Sequence, residues 1–438
     1  MVKVVEQLRF YLNNETGVLH NALWLLGDKV TKALCLLVIS ALLARHFGPQ
    51  AYGKLAYALA FIAIFQGVAN LGLDPITVRE IATNRKRAPE IIGTVFGLRL
   101  MAGLILWSLS AYLAYLFSGN GQDDLLIVAL VGGILLFQAT DTIDLWFQSQ
   151  GHNRKTVTAK LSVYIVGSAA RLYLIYLNCP LWVFALMATI DTIILSTALS
   201  LMYKNFPMER RWAFKQDQAI ALLKEGWPFM LSGVAVLVYA RIDQIMIKNM
   251  LDDYNLGIYS VAVLISGFFA VIPVSVCTAA APYVANLKND SHDRYMRAIS
   301  LLALALVIFA IGISAFIYVT AGPIINLLYG EPYAAASAVL RIHIFSTIPL
   351  FLGVAQSLWI VNEKKGRIHL YKTATGAIAS VVLNLILIPG YGINAAAYVT
   401  IITFTVSGVI SNIIWDKEYF KIQIKIFTNP MEIYFPPK

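Results

Sequence analysis

The chain has 438 residues, of which 59% are hydrophobic and only 13% charged, with a formal net charge of +10. A mean hydropathy of +0.70 excludes an ordinary soluble domain and identifies a polytopic membrane protein. The positive balance does not point to nucleic acid, because no segment outside the apolar runs is long enough to fold around one.

The apolar runs are near twenty residues, the helical length that crosses a hydrocarbon core about 30 Å thick. They lack the alternating ten-residue pattern of barrel strands. The opening MVKVVEQLRFYLNNETGVLH has neither the apolar core nor the small-residue cleavage site of a signal peptide. Cys35, Cys179 and Cys277 are scattered and odd in number, so they give no disulfide framework or metal spacing.

In chain order, twelve spans are predicted. They lie near 23–44, 51–74, 92–117, 125–148, 160–177, 181–203, 226–248, 256–283, 298–320, 335–361, 370–388 and 393–414. The fold class is all-α integral membrane. Between Lys32 and Arg45 lie only the twelve residues ALCLLVISALLA, about 18 Å of helix at ~1.5 Å per residue. The first helix therefore starts before Lys32, which puts Lys32 and Lys29 below the membrane surface unless their stems snorkel out.

Alternate connections are basic. Lys3 and Arg9 precede span one; Arg79, Arg85, Lys86 and Arg87 follow span two; Arg154, Lys155 and Lys160 follow span four. Lys204, Arg210, Arg211, Lys215 and Lys224 follow span six, and Lys288, Arg294 and Arg297 follow span eight. Lys364, Lys365, Arg367 and Lys372 come next, then Lys417, Lys421, Lys425 and Lys438. The opposite connections hold only Arg45, Lys54 and Lys248. The positive-inside rule then makes both termini cytoplasmic.

An internal repeat divides the chain. FGPQAYGKLAYA after span one resembles MLDDYNLGIYSVA after span seven, with Gly53 on Gly257. LWFQSQGHNR at the end of span four resembles LWIVNEKKGR at the end of span ten, with Trp146 on Trp359 and Arg154 on Arg367. An even number of spans per repeat implies two six-helix lobes related by a pseudo-two-fold along the membrane normal. The expected division is a lobe over 1–203, a cytoplasmic linker over 204–225, a second lobe over 226–414 and a basic cytoplasmic tail over 415–438. The cleft between lobes is the expected binding site.

The run LLARHFGPQAYGKLAYALAFIAIF, followed by NLGL and REIA, resembles the start of the polysaccharide biosynthesis flippases that move lipid-linked oligosaccharides. Arg45, Gly48, Pro49, Tyr52, Gly53, Gly72 and the Arg79-Glu80 pair fill that pattern. The ending Trp146-Phe147-Gln148-Ser149-Gln150-Gly151 resembles the family's fourth helix, with a different spacing before Gly151 and with His152-Asn153 where an acid is common. The resemblance implies the twelve-helix fold shared with multidrug extruders and lipid II flippases. It further implies translocation of O-antigen-like repeat units on a polyprenyl pyrophosphate, with the lipid bilayer and polysaccharide polymerase machinery as partners. The implied location is the bacterial inner membrane.

Such a cargo keeps its tail in lipid but must carry pyrophosphate and sugars across a medium of low dielectric. Cations that replace water around the phosphates are therefore required. Ionisable residues inside spans are functional candidates by default. The cations are Lys29, Lys32, Arg99, Arg171, Arg241 and Arg341; the acids are Asp28, Asp74, Asp141, Asp144, Asp191 and Asp243. Arg171 and Asp191 lie at matching depth around Asn178-Cys179-Pro180 and suit a structural ion pair. Arg99 suits Asp141 and Asp144, and Asp74 reads as an interfacial helix end. Asp28 can reach Lys32 one helical turn on. Arg241 and Asp243, two apart, cannot face each other on one helix, and Arg341 has no acid in its own span. Lys29, Lys32, Arg241 and Arg341 are therefore the expected substrate-binding cations. Asp28, Asp191 and Asp243 are the candidate ion-coupling acids.

No catalytic triad, metal cluster or phosphate-cradling glycine loop is present in the sequence, so neither enzyme chemistry nor a cofactor is expected. The function expected is a flippase working by alternating access. The alternative is a cation-coupled multidrug extruder on the same fold, which would want unpaired acids in an aromatic cleft.

Overall fold

The computed structural model describes residues 16–117, 122–205 and 212–428. Lys3, Arg9, Arg210, Arg211 and Lys438 of the basic connections lie outside the described residues, as does the side chain of Asp28. Among the described residues the secondary structure is helical, with no strand. α1 (Thr16–Ala69), α2 (Asp74–Thr83) and α3 (Ala88–Phe117) come first. α4 (Gln122–Gly132), α5 (Ile134–Phe137) and α6 (Asp141–Ser149) are pieces of one interrupted span, followed by α7 (Asn153–Tyr176) and α8 (Leu181–Lys204).

The second half opens with α9 (Gln216–Met250), then α10 (Asp253–Phe268), α11 (Val271–Asp290) and α12 (His292–Tyr329). α13 (Ala336–His343) and α14 (Thr347–Asn362) form another interrupted span. α15 (Gly366–Thr405), α16 (Ser411–Trp415) and the short α17 (Lys417–Thr428) close the described chain. The repeat is visible in the interruptions. A 3-10 turn at Gln138–Thr140 breaks the fourth span and another at Ile344–Ser346 breaks the tenth.

Nine helical stretches among the described residues are long and apolar enough to cross a membrane. Two of them, Lys29–Thr83 and Gly366–Trp415, run to 55 and 50 residues and can cross twice. They bend at Gly48 and Gly392, whose φ values of 75° and 64° combine with extended ψ, a region essentially closed to other residues. The connection expected as an HFGPQAYG turn is thus compressed into one glycine, because Pro49 restarts the helix at once. α7, where the fifth span is expected, is not among the nine; Lys155, Lys160 and Arg171 dilute its hydropathy.

The packing distinguishes the two ends of the bundle. At the Gly48 end, both halves share one apolar cluster. It joins Ile39, Ala44, Tyr52 and Phe61 to Leu256, Tyr259, Ile325, Tyr333 and Leu340. Toward the basic end the core divides. One cluster holds Leu73, Ile91, Trp146 and Tyr203, and a separate one holds Tyr295, Phe351, Trp359 and Tyr419. Along α1 the change is abrupt, since residues 29–38 include no buried side chain whereas Ile39, Ser40, Ala41, Leu43 and Ala44 are all buried. The halves therefore share one core at the Gly48 end and divide into two cores toward the basic end, where Leu222 of α9 still packs with Leu73 of the first half.

Candidate substrate cleft

The closed end is held by backbone approach and by cations. A Cβ on Gly53 would sit 1.9 Å from the Asp253 carbonyl oxygen, and one on Gly257 would sit 2.0 Å from that of Pro49. Arg45 donates to the carbonyls of Leu327 (2.5 Å) and Asn326 (3.3 Å), which cap the C-terminal turn of α12. The Tyr333 hydroxyl donates to the Ala44 carbonyl at 3.0 Å. Lys248 pairs with Asp124 at 2.7 Å and Asp253 at 3.1 Å, and Lys54 lies 3.9 Å from Asp123. The three cations of the sparsely charged connections, Arg45, Lys54 and Lys248, are thus all engaged at this end.

The halves also meet toward the basic end. Gly67 packs against Leu237, and Gly72 lies against the backbone of Gly226 and Met230. Arg79 donates to Glu225 at 2.6 Å, and Lys215 bonds Glu90 at 2.5 Å. A hollow of about 420 Å³ near these pairs is lined by Glu80, Arg87, Lys215, Asp217 and Glu225 among others. None of the four expected substrate cations lines it.

Arg241 lies nine residues before the end of α9, about 14 Å along the helix from the closed end. It is exposed, makes no ion pair or hydrogen bond among the described residues, and has both Tyr52 and Asp243 within electrostatic reach. Tyr52 belongs to α1 and Asp243 to α9, so Arg241 stands between the halves just below their closure. Lys32 is half-buried, about 24 Å along α1 from Gly48, with its ammonium 5.2 Å from the centre of the Tyr164 ring. Lys29 is half-buried one turn further from the closure.

Arg341 lies elsewhere. Its guanidinium is beside Gly322 of α12, in its own half, near the exposed Tyr318–Phe345 ring pair. The structure thus places Arg241 beside Tyr52 of the opposite half, Lys32 beside Tyr164 of its own half with Lys29 one turn away, and Arg341 on the α12 side.

Most intramembrane acids are engaged. Asp191 pairs with Arg171 at 2.7 Å, and Gly167 leaves the space that pair occupies. Arg99 corrects the expectation made for it. Its partners are Asp74 and the Asn70 side chain, while Asp144 is taken by Lys160 at 2.6 Å. Asp74 is within reach because the chain reverses through Leu71 and Gly72, both at positive φ, and α2 begins there. Asp243 is buried; it accepts from the Tyr259 hydroxyl and from the Gln244 backbone N–H at 2.8 Å. Tyr259 also contacts Thr400 at 3.3 Å and stacks edge-on with His343, whose Nδ1 is 2.7 Å from the Ser266 hydroxyl.

Sequence reasoning counted Lys160 and Lys372 with the basic connections although the expected spans 160–177 and 370–388 reach them, and both side chains bond inside the bundle. Lys160 bonds Asp144, and the buried Lys372 donates to Gln356, each across sixteen residues. In the register set by Trp146 and Trp359, both partners of the second bond fall one residue before the counterparts of the first. Lys372 was detectable in principle, since Thr373, Gly376, Ser380 and Asn384 continue a buried polar stripe from it at helical spacing.

A helical bundle of two lobes that share one core at one end and divide at the other has the architecture of a membrane transporter. The chain belongs to the polysaccharide biosynthesis protein family, whose pattern it matches over residues 18–288. A match to the MatE family covers residues 228–386. It is 22% identical over 406 residues to a capsular polysaccharide biosynthesis protein, CapF, of Staphylococcus aureus, covering 90% of this chain and 97% of that one.

Solved structures share the fold. The lipid II flippase MurJ superposes with a TM-score of 0.71 at 14% identity, covering 93% of this chain and 91% of that one. The eukaryotic MATE transporter AtDTX14 superposes with a TM-score of 0.69 at 16% identity, covering 94% of this chain and all of that one. The MATE multidrug transporter DinF-BH has a TM-score of 0.69 at 16% identity, covering 93% of this chain and 97% of that one. The protein is accordingly a multi-pass transporter or flippase of the polysaccharide-biosynthesis type.

Proposed function

We propose that the protein flips a polyprenyl-pyrophosphate-linked oligosaccharide, of the O-antigen repeat-unit kind, from the cytoplasmic to the outer leaflet by alternating access. The basic end is cytoplasmic in this reading, so the described state receives cargo from the inner leaflet of a bacterial inner membrane. The observation that carries it is the charge balance. Asp74, Asp144 and Asp191 are paired and the buried Asp243 is held by Tyr259 and the Gln244 N–H, whereas the exposed Arg241 makes no ion pair or hydrogen bond among the described residues. An unpaired cation below a closed gate suits an anionic headgroup and opposes a cationic drug.

Lys29 and Lys32 meet the pyrophosphate first and Arg241 holds it at mid-depth, while Arg341, beside Gly322 of α12, has the smallest part of the four expected cations. Moving a negative charge outward gains about 2.3 kcal/mol per charge for each 100 mV, so the membrane potential favours export. Coupling to an ion falls to Asp28, Asp191 or Asp243. Of these Asp243 is best placed, since its carboxylate is buried without a cationic hydrogen-bond partner among the described residues. Polymerase machinery would take the product outside.

The multidrug reading rests on the shared fold of the MATE neighbours. Proteoliposomes separate the two. Translocation of a labelled lipid-pyrophosphate oligosaccharide supports the flippase, and export of a cationic dye without it supports the extruder.

A further inference from the structure

The last described helix is built for a surface. In α17, Tyr419, Ile422, Gln423 and Ile426 are buried, the i, i+3, i+4, i+7 stripe of a helix packed on one side. That stripe is pinned to the bundle. Gln423 donates to the Gly408 carbonyl at 2.8 Å, inside the π-helical turn Val406–Ile410, and accepts from Asn412 at 3.0 Å. Asp416, at the start of the helix, accepts from Trp359 at 2.9 Å and Lys365 at 3.0 Å, and Lys365 also bonds Glu418 at 2.8 Å. Burial alone would lower the Lys365 ammonium, but the bonds to Glu418 and Asp416 outweigh it and hold it above the usual lysine value.

The rest of the circumference divides into two further sectors. Lys417, Lys421 and Lys425 recur every four residues on one exposed strip and make no ion pair among the described residues. Phe420, Ile424 and Phe427 form a second strip between the lysines and the bundle, with Ile424 and Phe427 exposed. At 100° per residue the order around the helix is bundle, apolar strip, lysine strip. A helix in water needs no apolar strip there, and a helix wholly in lipid would not carry the lysines.

The position agrees. Ile410, Ile413 and Ile414 are exposed on the apolar helix just before α17, and that surface ends at Trp415, whose ring lies 4.8 Å from Tyr371. An exposed Trp–Tyr pair at the end of an apolar span marks the membrane–water interface. α17 begins one residue after that level.

We propose that α17 is an interfacial helix that binds the anionic lipid headgroups of the leaflet at this end of the bundle. Phe420, Ile424 and Phe427 enter the acyl boundary while Lys417, Lys421 and Lys425 meet phosphate charge. Because its opposite face holds Gln423 against the π-turn, lipid binding fixes the position of the α15–α16 end of the second lobe.

The test uses the full chain with C35A, C179A and C277A, carrying Ile424→Cys labelled with a polarity-sensitive fluorophore, in lipid nanodiscs. The expected result is a blue shift on replacing phosphatidylcholine by a mixture with phosphatidylglycerol. That shift is lost in high salt and in the K417Q/K421Q/K425Q variant, whose unfolding midpoint is unchanged. Emission independent of lipid charge would overturn the proposal, as would a shift that survives the triple substitution. A shift that appears only when other membrane proteins are added would assign the surface to a protein partner and overturn it as well.

Discussion

Gly53 and Gly257, which occupy equivalent positions in the two repeats, face each other across the closed end of the bundle. A Cβ on Gly53 would lie 3.0 Å from the Gly257 nitrogen, and each glycine's missing side chain is filled by the other half's backbone. The contact is self-complementary in the way of a two-fold interface, with the repeat supplying both sides. Both positions are helical, so close approach rather than turn geometry demands the glycine.

Gly53→Ala or Gly257→Ala should therefore open this end while sparing each lobe. Overpacking at a close contact costs about 1–3 kcal/mol, charged here to the closed state alone. A cysteine at Leu256, fully buried in the shared cluster, should react faster with an impermeant maleimide in either variant. An unchanged rate would mean that the glycines do not hold the closure.

The tyrosine clasp is a smaller contribution. Tyr333→Phe removes the donor to the Ala44 carbonyl without removing the ring that packs against Tyr52. The expected loss is about 0.5–1.5 kcal/mol of the closed state, read in the same labelling assay. Combined with Gly53→Ala the effects should fall short of additive, because both act on one interface.

Arg171 and Asp191 test structure against coupling. Arg171→Gln leaves a partly buried carboxylate unpaired and should lower the melting temperature by an amount equivalent to several kcal/mol. The double variant R171Q/D191N should recover most of that stability. If transport recovers with it, the pair is structural; a stable double variant without transport would make Asp191 the coupling acid.

The two lysines should differ. Lys160→Met strands the Asp144 charge, which keeps only the neutral Gln148 amide at 2.9 Å, and should cost about 3–5 kcal/mol. Lys372→Met leaves the Gln356 oxygen still accepting from Asn412 at 3.2 Å and should cost less than half as much. Thermal unfolding in detergent ranks them, and equal losses would contradict the assignment.

The sequence made the architecture legible because lipid restricts the choice to helices of a fixed length, and the repeated LWF and LWI endings exposed the duplication. The Arg171–Asp191 pair was legible because a three-residue connection sets the two depths. Arg99 was not, since its partner depends on a reversal at Leu71 and Gly72 that aligns Asp74 with α3. Lys372 was counted with the basic connection because it stands at the edge of the expected 370–388 span, whereas α15 begins at Gly366 and carries the lysine nearly two turns inside. Arg241 and Arg341 looked alike as unpaired cations. Only packing separates a side chain near Tyr52 of the opposite half from one beside Gly322 of its own.

The most direct measurement is translocation of a labelled lipid-pyrophosphate oligosaccharide in proteoliposomes, comparing wild type with Arg241→Gln, Lys32→Gln and Arg341→Gln at matched folding. The account predicts transport by the wild type, a loss of tenfold or more for Arg241→Gln, and smaller losses for the other two. Wild-type activity with Arg241→Gln undiminished would contradict the central role given to that cation. A wild type that moves no anionic cargo and exports cationic dye would contradict the function itself.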